Sequence, residues 1–285
     1  MRDAQVTIIG LGLMGGSLGL ALRRRRACRQ VWGVARRPAS VRKALEMGAI
    51  DSGTLDLAEG VADADIVVLA TPVRTIIELI PRLGPLLAAN CLLTDVGSTK
   101  AAIVEAMEDL PPHVQPLGGH PMCGKEAAGL EAAEANLYEG AVWALTPLSR
   151  TSPRAREMGQ ALARAVGARP LVLDPQRHDR LVAAISHLPY LLAVALVGLA
   201  EEVAAEDELL WTLAASGFRD TSRLAASEAT MMLDILLTNR GHVAEMIQRF
   251  GQRLEGLAAL LEGRDQGRLR QLLERARQRR GGMFR

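Results

Sequence analysis

The chain has 285 residues, 34 Lys and Arg against 32 Asp and Glu, and 49% hydrophobic side chains with only 3% aromatic. A net charge of +2 removes any bulk electrostatic argument for nucleic acid, and the shortage of aromatics puts the core in Leu, Ala, Val and Ile, which suits helices and parallel strands better than an aromatic-rich β-sandwich. Cys28, Cys91 and Cys123 show no metal-ligand spacing and fit a reduced, cytoplasmic compartment, no leader precedes the first strand, and no apolar run reaches the ~18 residues that a membrane helix needs, the longest being 188–200.

Residues 6–9 are an apolar run rich in β-branched side chains, the pattern of a buried strand. Gly10-Leu11-Gly12-Leu13-Met14-Gly15 follows, then an apolar helical stretch through Leu22 and a second strand at 31–35. G-x-G-x-x-G between a strand and a helix predicts a dinucleotide site. Gly10 makes the tight turn, Gly12 lets the backbone approach a pyrophosphate, and Gly15 packs the helix on the strand. The helix start at Leu13 and Met14 offers N–H groups to the phosphates. The competing reading is a glycine-rich turn in some other α/β protein.

An NAD-preferring site usually carries Asp or Glu at the end of the second strand, where it bonds the ribose 2′-hydroxyl. Here that place reads Ala35-Arg36-Arg37-Pro38. A guanidinium is permanently charged and can grip a phosphate in a bidentate fork. This predicts NADP, with Arg36 as the first contact and Arg37 beside it, against the alternative of two solvated surface charges. Ser40 adds a hydroxyl to the same phosphate or caps the following helix.

A helix over 41–47 and a strand over 65–70 come next. The strand ends at Thr71-Pro72, a turn at the carboxyl edge of the sheet, where a cofactor sits in such folds. A helix at 75–87, a strand at 91–95, a helix through Met107 and a strand at 114–117 follow, and strands at 141–146 and 170–173 flank a helix over 153–166. This alternation predicts a parallel, doubly wound α/β sheet of the Rossmann type. From Asp174 the strand signals stop, and 177–203, 208–215, 230–237, 240–261 and 266–278 have helical apolar spacing, with a basic, frayed tail over 278–285. The expected domains are a dinucleotide-binding domain at 1–173 and an all-α domain at 174–285. Its long apolar helices predict a homodimer, with a self-contained bundle as the alternative.

Polar groups interrupt the apolar pattern in four places. Asp95-Val96-Gly97-Ser98-Thr99-Lys100 follows a buried strand. Ser98 can bond a substrate hydroxyl or cap the next helix, and Lys100 can touch substrate or sit on the helix surface. Gly119-His120-Pro121 reads as a loop with a fixed backbone and an accessible imidazole, which suits proton acceptance near neutral pH. His178-Asp179 and Ser186-His187-Leu188-Pro189-Tyr190 open the helical region. His187 faces the domain interface if its helix packs back on the sheet, whereas a core role is favoured for His178. In Ser216-Gly217-Phe218-Arg219-Asp220-Thr221-Ser222-Arg223, Gly217 is read as a helix break. One arginine there is held by Asp220 and the other grips a carboxylate, with spacing alone leaving open which does which. The residues thus indicate an NADP-dependent oxidoreductase with an anionic substrate and a histidine base.

Together these stretches resemble the prephenate/arogenate dehydrogenase family of tyrosine biosynthesis. The matching pieces are G-L-G-L-M-G-G-S, D-V-G-S-T-K, G-G-H-P-M, H-D, S-H-L-P and S-G-F-R-D-T-S-R, in family order. The resemblance implies oxidative decarboxylation of a cyclohexadienol. In it His120 takes the proton of the ring hydroxyl as hydride leaves for the nicotinamide, and Ser98 orients hydroxyl and histidine. It also implies that Arg223 binds a substrate carboxylate, leaving Arg219 to Asp220, and that a Rossmann domain is paired with a helical dimerisation domain. Many prephenate-using members read S-H-x-P-H, with a second histidine where this chain has Tyr190, and a tryptophan common after the arginine motif is here Met232. The wording G-F-R-D-T-S-R with G-G-H-P-M is similar to cyanobacterial-type arogenate dehydrogenases, which tend to use NADP. Arogenate is therefore the expected substrate. Glu126 pairs with its ammonium or serves as a structural acid. The β-hydroxyacid dehydrogenase type shares the layout but depends on a lysine in the helical domain, and this chain has none after Lys125.

Overall fold

The computed structural model describes residues 1–125 and 127–283. Eight strands form one sheet: β1 (Gln5–Ile9), β2 (Gln30–Val34), β3 (Ser52–Thr54), β4 (Ile66–Leu69), β5 (Leu92–Asp95), β6 (Gln115–Pro121), β7 (Val142–Pro147) and β8 (Arg169–Val172). Their spatial order is β3-β2-β1-β4-β5-β6-β7-β8. Helices α1 (Leu13–Arg24), α2 (Pro38–Glu46), α3 (Leu57–Val61), α4 (Val73–Leu83), α5 (Ala101–Glu108) and α6 (Pro153–Ala165) lie between strands. The central strands are mostly apolar because both faces are covered, with β4 apolar at every position and Gln5, Thr7, Thr94 and Asp95 the polar exceptions in β1 and β5. Successive residues alternate between two buried clusters: Val6, Ile8, Ile66, Val68 and Leu92 belong to one, and Ile9, Val67, Leu69 and Leu93 to the other.

The fold class expected from the sequence is present, with one departure: β6 and β7 are antiparallel, whereas the other neighbours are parallel. A parallel neighbour requires a crossover, usually helical. Between β6 and β7 the described residues hold only the 3₁₀ turn Leu130–Ala132, so the chain returns antiparallel. The same ladder extends β6 beyond its expected end. His120 pairs opposite Ala144 and Pro121 opposite Trp143, so His120 is a strand residue and not a loop residue. The short β3 and α3 carry too few residues for a periodic signal and were not expected.

The sheet is followed by α7 (Pro175–Val182), a π turn (Ala183–His187) and α8 (Leu188–Glu206), which run as one helix over Pro175–Glu206. Pro189 has no N–H for the carbonyl four residues back, and its ring crowds that carbonyl. The widened π turn just before it relieves both. This helix corrects the expectation about apolar length: its 32 residues are long and apolar enough to cross a membrane by length and composition, because the uncharged run begins before Leu188 and includes His187 and Pro189. Then come α9 (Leu209–Leu213), α10 (Ser216–Ser222), a 3₁₀ turn (Arg223–Ala226) and α11 (Ala229–Thr238). The helix break falls at Ala214 and Ala215, where Ala215 is extended at φ −112°, and Gly217 lies inside α10.

All of these elements belong to one compact unit, Met1–Arg240, and residues Gly241–Arg285 form a second. The second holds α12 (Arg240–Glu262) and α13 (Gln266–Met283). Arg264, at φ +51°, turns the chain between them, and the Asp265 carboxylate caps α13 by accepting from Arg268 N at 3.0 Å. The tail expected to fray stays helical to Met283.

Candidate active site

β1 lies between β2 and β4, so the strand order reverses beside it, and the crevice at the carboxyl ends of β1 and β4 is where such sheets bind ligands. The glycine fingerprint occupies this crevice. Gly10 has φ +103°, and a Cβ there would lie 2.6 Å from Ala70 O. A Cβ on Gly15 would lie 1.9 Å from Gly10 O, so α1 packs against the turn as its spacing required. Gly12 differs: it is the N-cap of α1, without a side-chain cap, and a Cβ there would meet nothing within 4 Å. The space in front of Gly12 and the first N–H groups of α1, at Leu13 and Met14, is open to a phosphate. Thr71 Oγ1 is buried without a partner beside Gly10. An orphaned hydroxyl at this crevice fits a polar ligand. Pro72 is the N-cap of α4. The chemistry present therefore fits a dinucleotide.

Arg36 and Arg37 are exposed just past β2, with no acidic side chain between Val34 and Ser40. Ser40 does not cap the helix. Arg37 is the N-cap and Pro38 the first helical residue, so Ser40 lies within the first turn. Tyr138 Oη donates to Met14 O at 2.7 Å and Glu134 N to Ser17 Oγ at 2.9 Å. These two bonds, which join the segment after β6 to the first turns of α1, had no signal in the sequence.

At the carboxyl ends of β5 and β6 the site is built on a buried ion pair. Lys100 Nζ donates to Asp95 Oδ1 and to Gly119 O, and both charged side chains are fully buried. Asp95 also accepts Gly97 N at 2.7 Å and Gly119 N at 3.0 Å. Burial raises the Asp95 carboxyl above its ordinary value and lowers the Lys100 ammonium below its own, while their mutual attraction opposes both shifts. Removing one partner of such a pair costs about 3–5 kcal/mol. Lys100 thus neither touches the helix surface nor reaches outward. It fixes the backbone of Gly119, next to His120. It is also the N-cap residue of α5, so Ser98 does not cap that helix. Ser98 lies half-buried two residues before it.

Asp179 closes the other side. Its Oδ1 accepts Lys100 N at 2.7 Å and its Oδ2 accepts Ala101 N at 2.9 Å, capping α5 from α7. His178 Nδ1 bonds Asp179 Oδ1 at 2.8 Å, and His178 Nε2 bonds His120 Nδ1 at 2.9 Å. Asn239 Nδ2 donates to Asp179 O at 2.8 Å and lies 3.2 Å from His187 Nδ1. Burial, then His178, Lys100 and His187, hold His120 well below the usual imidazole value, so it is neutral and able to accept a proton at pH 7. Burial pushes His187 down to about 4, against the pull of Asp179.

These contacts join Asp95, Lys100, His120, His178, Asp179, His187 and Asn239. Tyr190, on α8, packs half-buried against the second core cluster. Arg223 opens the 3₁₀ turn after α10 and is exposed in the single chain, while Arg219 lies 3.7 Å from Asp220. Glu126 lies outside the described residues. Sequence reasoning undervalued His178, whose adjacency to Asp179 was the available signal. It missed Asn239, which is 60 residues from Asp179 and carries no motif.

A sequence model described as "Prephenate dehydrogenase, nucleotide-binding domain" matches residues 18–172, and one described as "Prephenate dehydrogenase, dimerization domain" matches 174–275. The chain belongs to the prephenate dehydrogenase family. Members of this family are NAD(P)-dependent oxidoreductases, and this chain is one of them. It is 34% identical over 282 residues to a prephenate dehydrogenase of Lactococcus lactis, covering 98% of this chain and 77% of that one. Among solved structures it is similar to prephenate dehydrogenase of Aquifex aeolicus in complex with hydroxyphenyl propionate and NAD+, with TM-score 0.92, 32% identity and 98% of each chain covered. It is similar also to Synechocystis arogenate dehydrogenase, with TM-score 0.85, 32% identity, and 97% of this chain and 99% of that one covered.

The two fingerprint glycines give a paired test. Gly12→Ala places a methyl in open space and leaves stability within about 0.5 kcal/mol of wild type, but raises the cofactor dissociation constant about tenfold or more. Gly15→Ala instead loses stability, by about 3 kcal/mol or more. Thermal melts with fluorescence titrations of NADH and NADPH read both effects, and unchanged affinity for both in Gly12→Ala contradicts the placement.

Proposed function

We propose that this chain is an NADP-linked arogenate dehydrogenase, converting L-arogenate to L-tyrosine and carbon dioxide. The observation that carries the chemistry is the neutral, strand-held His120, whose Nδ1 is engaged by His178, leaving Nε2 for substrate. The nicotinamide of a bound cofactor supplies a hydride acceptor. The proton of the ring 4-hydroxyl passes to His120 Nε2 as the hydrogen on the same carbon leaves with its electron pair. The ring carboxylate departs as carbon dioxide. Its electrons complete the aromatic ring, and the former hydroxyl oxygen takes the proton back, so no net proton is released. Ser98, at the same edge, orients the hydroxyl, and Arg223 holds a substrate carboxylate bidentately.

The Gly10, Gly12 and Gly15 turn with Leu13, Met14, Thr71 and Pro72 would hold the dinucleotide, and Arg36, Arg37 and Ser40 its 2′-phosphate. Tyr190, in place of a second histidine, and the G-F-R-D-T-S-R wording support arogenate, as does the Synechocystis relative's printed activity. Tyr190 completes the substrate contacts, with Glu126 pairing the substrate ammonium, whereas His187, 1% exposed and 3.2 Å from Asn239 Nδ2, is buried in the hydrogen-bond cluster rather than open to substrate. The second reading, prephenate with NAD, is favoured by the names of the Lactococcus and Aquifex relatives and by the NAD+ in the latter.

The homodimer is proposed through the helical segment. Ile185 and Leu199 on its long helix are 67% and 58% exposed, and Leu213 is 81% exposed, more apolar surface than a lone chain leaves open. The matched dimerization-domain description supports this. Sedimentation equilibrium should give a dimer that Leu199→Glu weakens, and a monomeric wild type contradicts the proposal.

Steady-state turnover with arogenate and prephenate, each with NADP and NAD, tests the assignment. Arogenate with NADP should lead by tenfold or more in kcat/KM, about 1.4 kcal/mol of transition-state discrimination. His120→Asn should keep cofactor binding and lose turnover. A lead for prephenate with NAD overturns the substrate and cofactor assignments.

A further inference from the structure

We infer that His178 is a positioning residue that sets the tautomer of His120, and that Asp179 sets the tautomer of His178. The inference rests on the reading of His120 as the proton acceptor. Asp179 Oδ1 and Oδ2 each accept a backbone N–H, from Lys100 and Ala101. A carboxylate offers only acceptors, so the short contact to His178 Nδ1 at 2.8 Å requires an N–H on that nitrogen. A neutral His178 ring carries its one N–H on Nδ1, and its Nε2 is then a bare lone pair. It lies 2.9 Å from His120 Nδ1, and two lone pairs do not share such a contact, so His120 Nδ1 bears the hydrogen. His120 Nε2 is then the unprotonated nitrogen, the form that can take a proton from a substrate hydroxyl. The rings meet nearly edge-on, at 72° and 5.1 Å between centroids, which suits an in-plane N–H to a lone pair.

The chain of donors runs one way because its far end is anchored. The α5 N-terminus, Lys100 Nζ on Asp95 and the Asn239 bond to Asp179 O surround it, and His187 faces the same cluster through Asn239. Once His120 has accepted a proton, its Nδ1–H still points at a lone pair whose own ring is held by a carboxylate, so the imidazolium is stabilised without a rearrangement. His178 is only 2% exposed and touches no reacting atom in this arrangement. The sequence reading of His178 as a core histidine is correct for its burial and incomplete for its role.

Ring ¹⁵N shifts of ¹⁵N-histidine-labelled full-length protein read the tautomer without any substrate, with His120→Asn identifying the His120 signals. Wild type should show His120 protonated at Nδ1 and bare at Nε2. His178→Leu should move the hydrogen to Nε2 and lower kcat at least about 100-fold, with the substrate KM within about threefold. His178→Gln, whose amide oxygen can accept from His120 while its NH₂ donates to Asp179, should keep the Nδ1–H form and recover most of kcat. An Nε2–H His120 in wild type overturns the inference. So does an unchanged tautomer in His178→Leu, or a Gln variant that falls as far as Leu while retaining the tautomer. If the Leu variant does not fold, the wild-type spectrum and the Gln variant decide it. Wild type that turns over neither arogenate nor prephenate counts against the proposed function alone, since the tautomer is read independently.

Discussion

A single carboxylate, that of Asp179, joins the helical segment to the sheet and anchors the hydrogen-bond chain between them. It caps α5 through two backbone N–H groups and holds His178 with the oxygen that accepts Lys100 N. Neither task is separable from the other. The cap places α7 where His178 reaches β6, and His178 reaches His120 only because β6 runs on to Pro121. On the opposite side Lys100 and Asp95 fix Gly119. His120, the proposed proton acceptor, is thereby held on one flank by a buried ion pair and on the other by a buried hydrogen-bond chain. Such networks are costly to bury when half satisfied and specific when complete.

The fold was legible where a strong local signal existed. Residues 6–15 carry strand, turn and helix in one stretch, and the positive φ of Gly10 and the missing space at Gly15 match the roles their spacing assigns. What escaped was decided by partners remote in sequence. The antiparallel β7 lengthens β6 and turns an expected loop histidine into a strand histidine. Lys100 looked like a surface or substrate-facing side chain because its partner Asp95 and the Gly119 carbonyl meet only when β5 and β6 are adjacent. Asn239 carries no motif, and its bonds to Asp179 and beside His187 exist only after α11 has packed. Apolar length was underestimated for a different reason: His187 and Pro189 look like breaks in the pattern, yet a π turn carries the helix through them.

The residues proposed to select cofactor and substrate follow different strands of the sheet, β1, β2 and β4 for the one and β5 and β6 for the other. The proposed dinucleotide end is made mostly of backbone: an open Gly12 and the first turn of α1 pinned by Tyr138, beside an orphaned Thr71 hydroxyl. The proposed NADP preference rests on charge just past β2, where the chain carries Arg36 and Arg37 and no acid. The proposed substrate end depends on side chains whose protonation the fold controls. Burial keeps His120 neutral, and in the inference drawn from its partners the order of donors and acceptors behind it selects which nitrogen takes the proton. An anionic substrate brings charge toward this imidazole and favours its protonated form once the proton has moved.

His120 Nε2 is the atom proposed to meet the reacting hydroxyl. A crystal structure of the protein with NADP and the product tyrosine tests it most directly. The phenolic oxygen should lie within about 3.2 Å of His120 Nε2, with His120 Nδ1 still on His178. A phenolic oxygen bound elsewhere, or a His120 ring turned to present Nδ1 to it, would contradict the account.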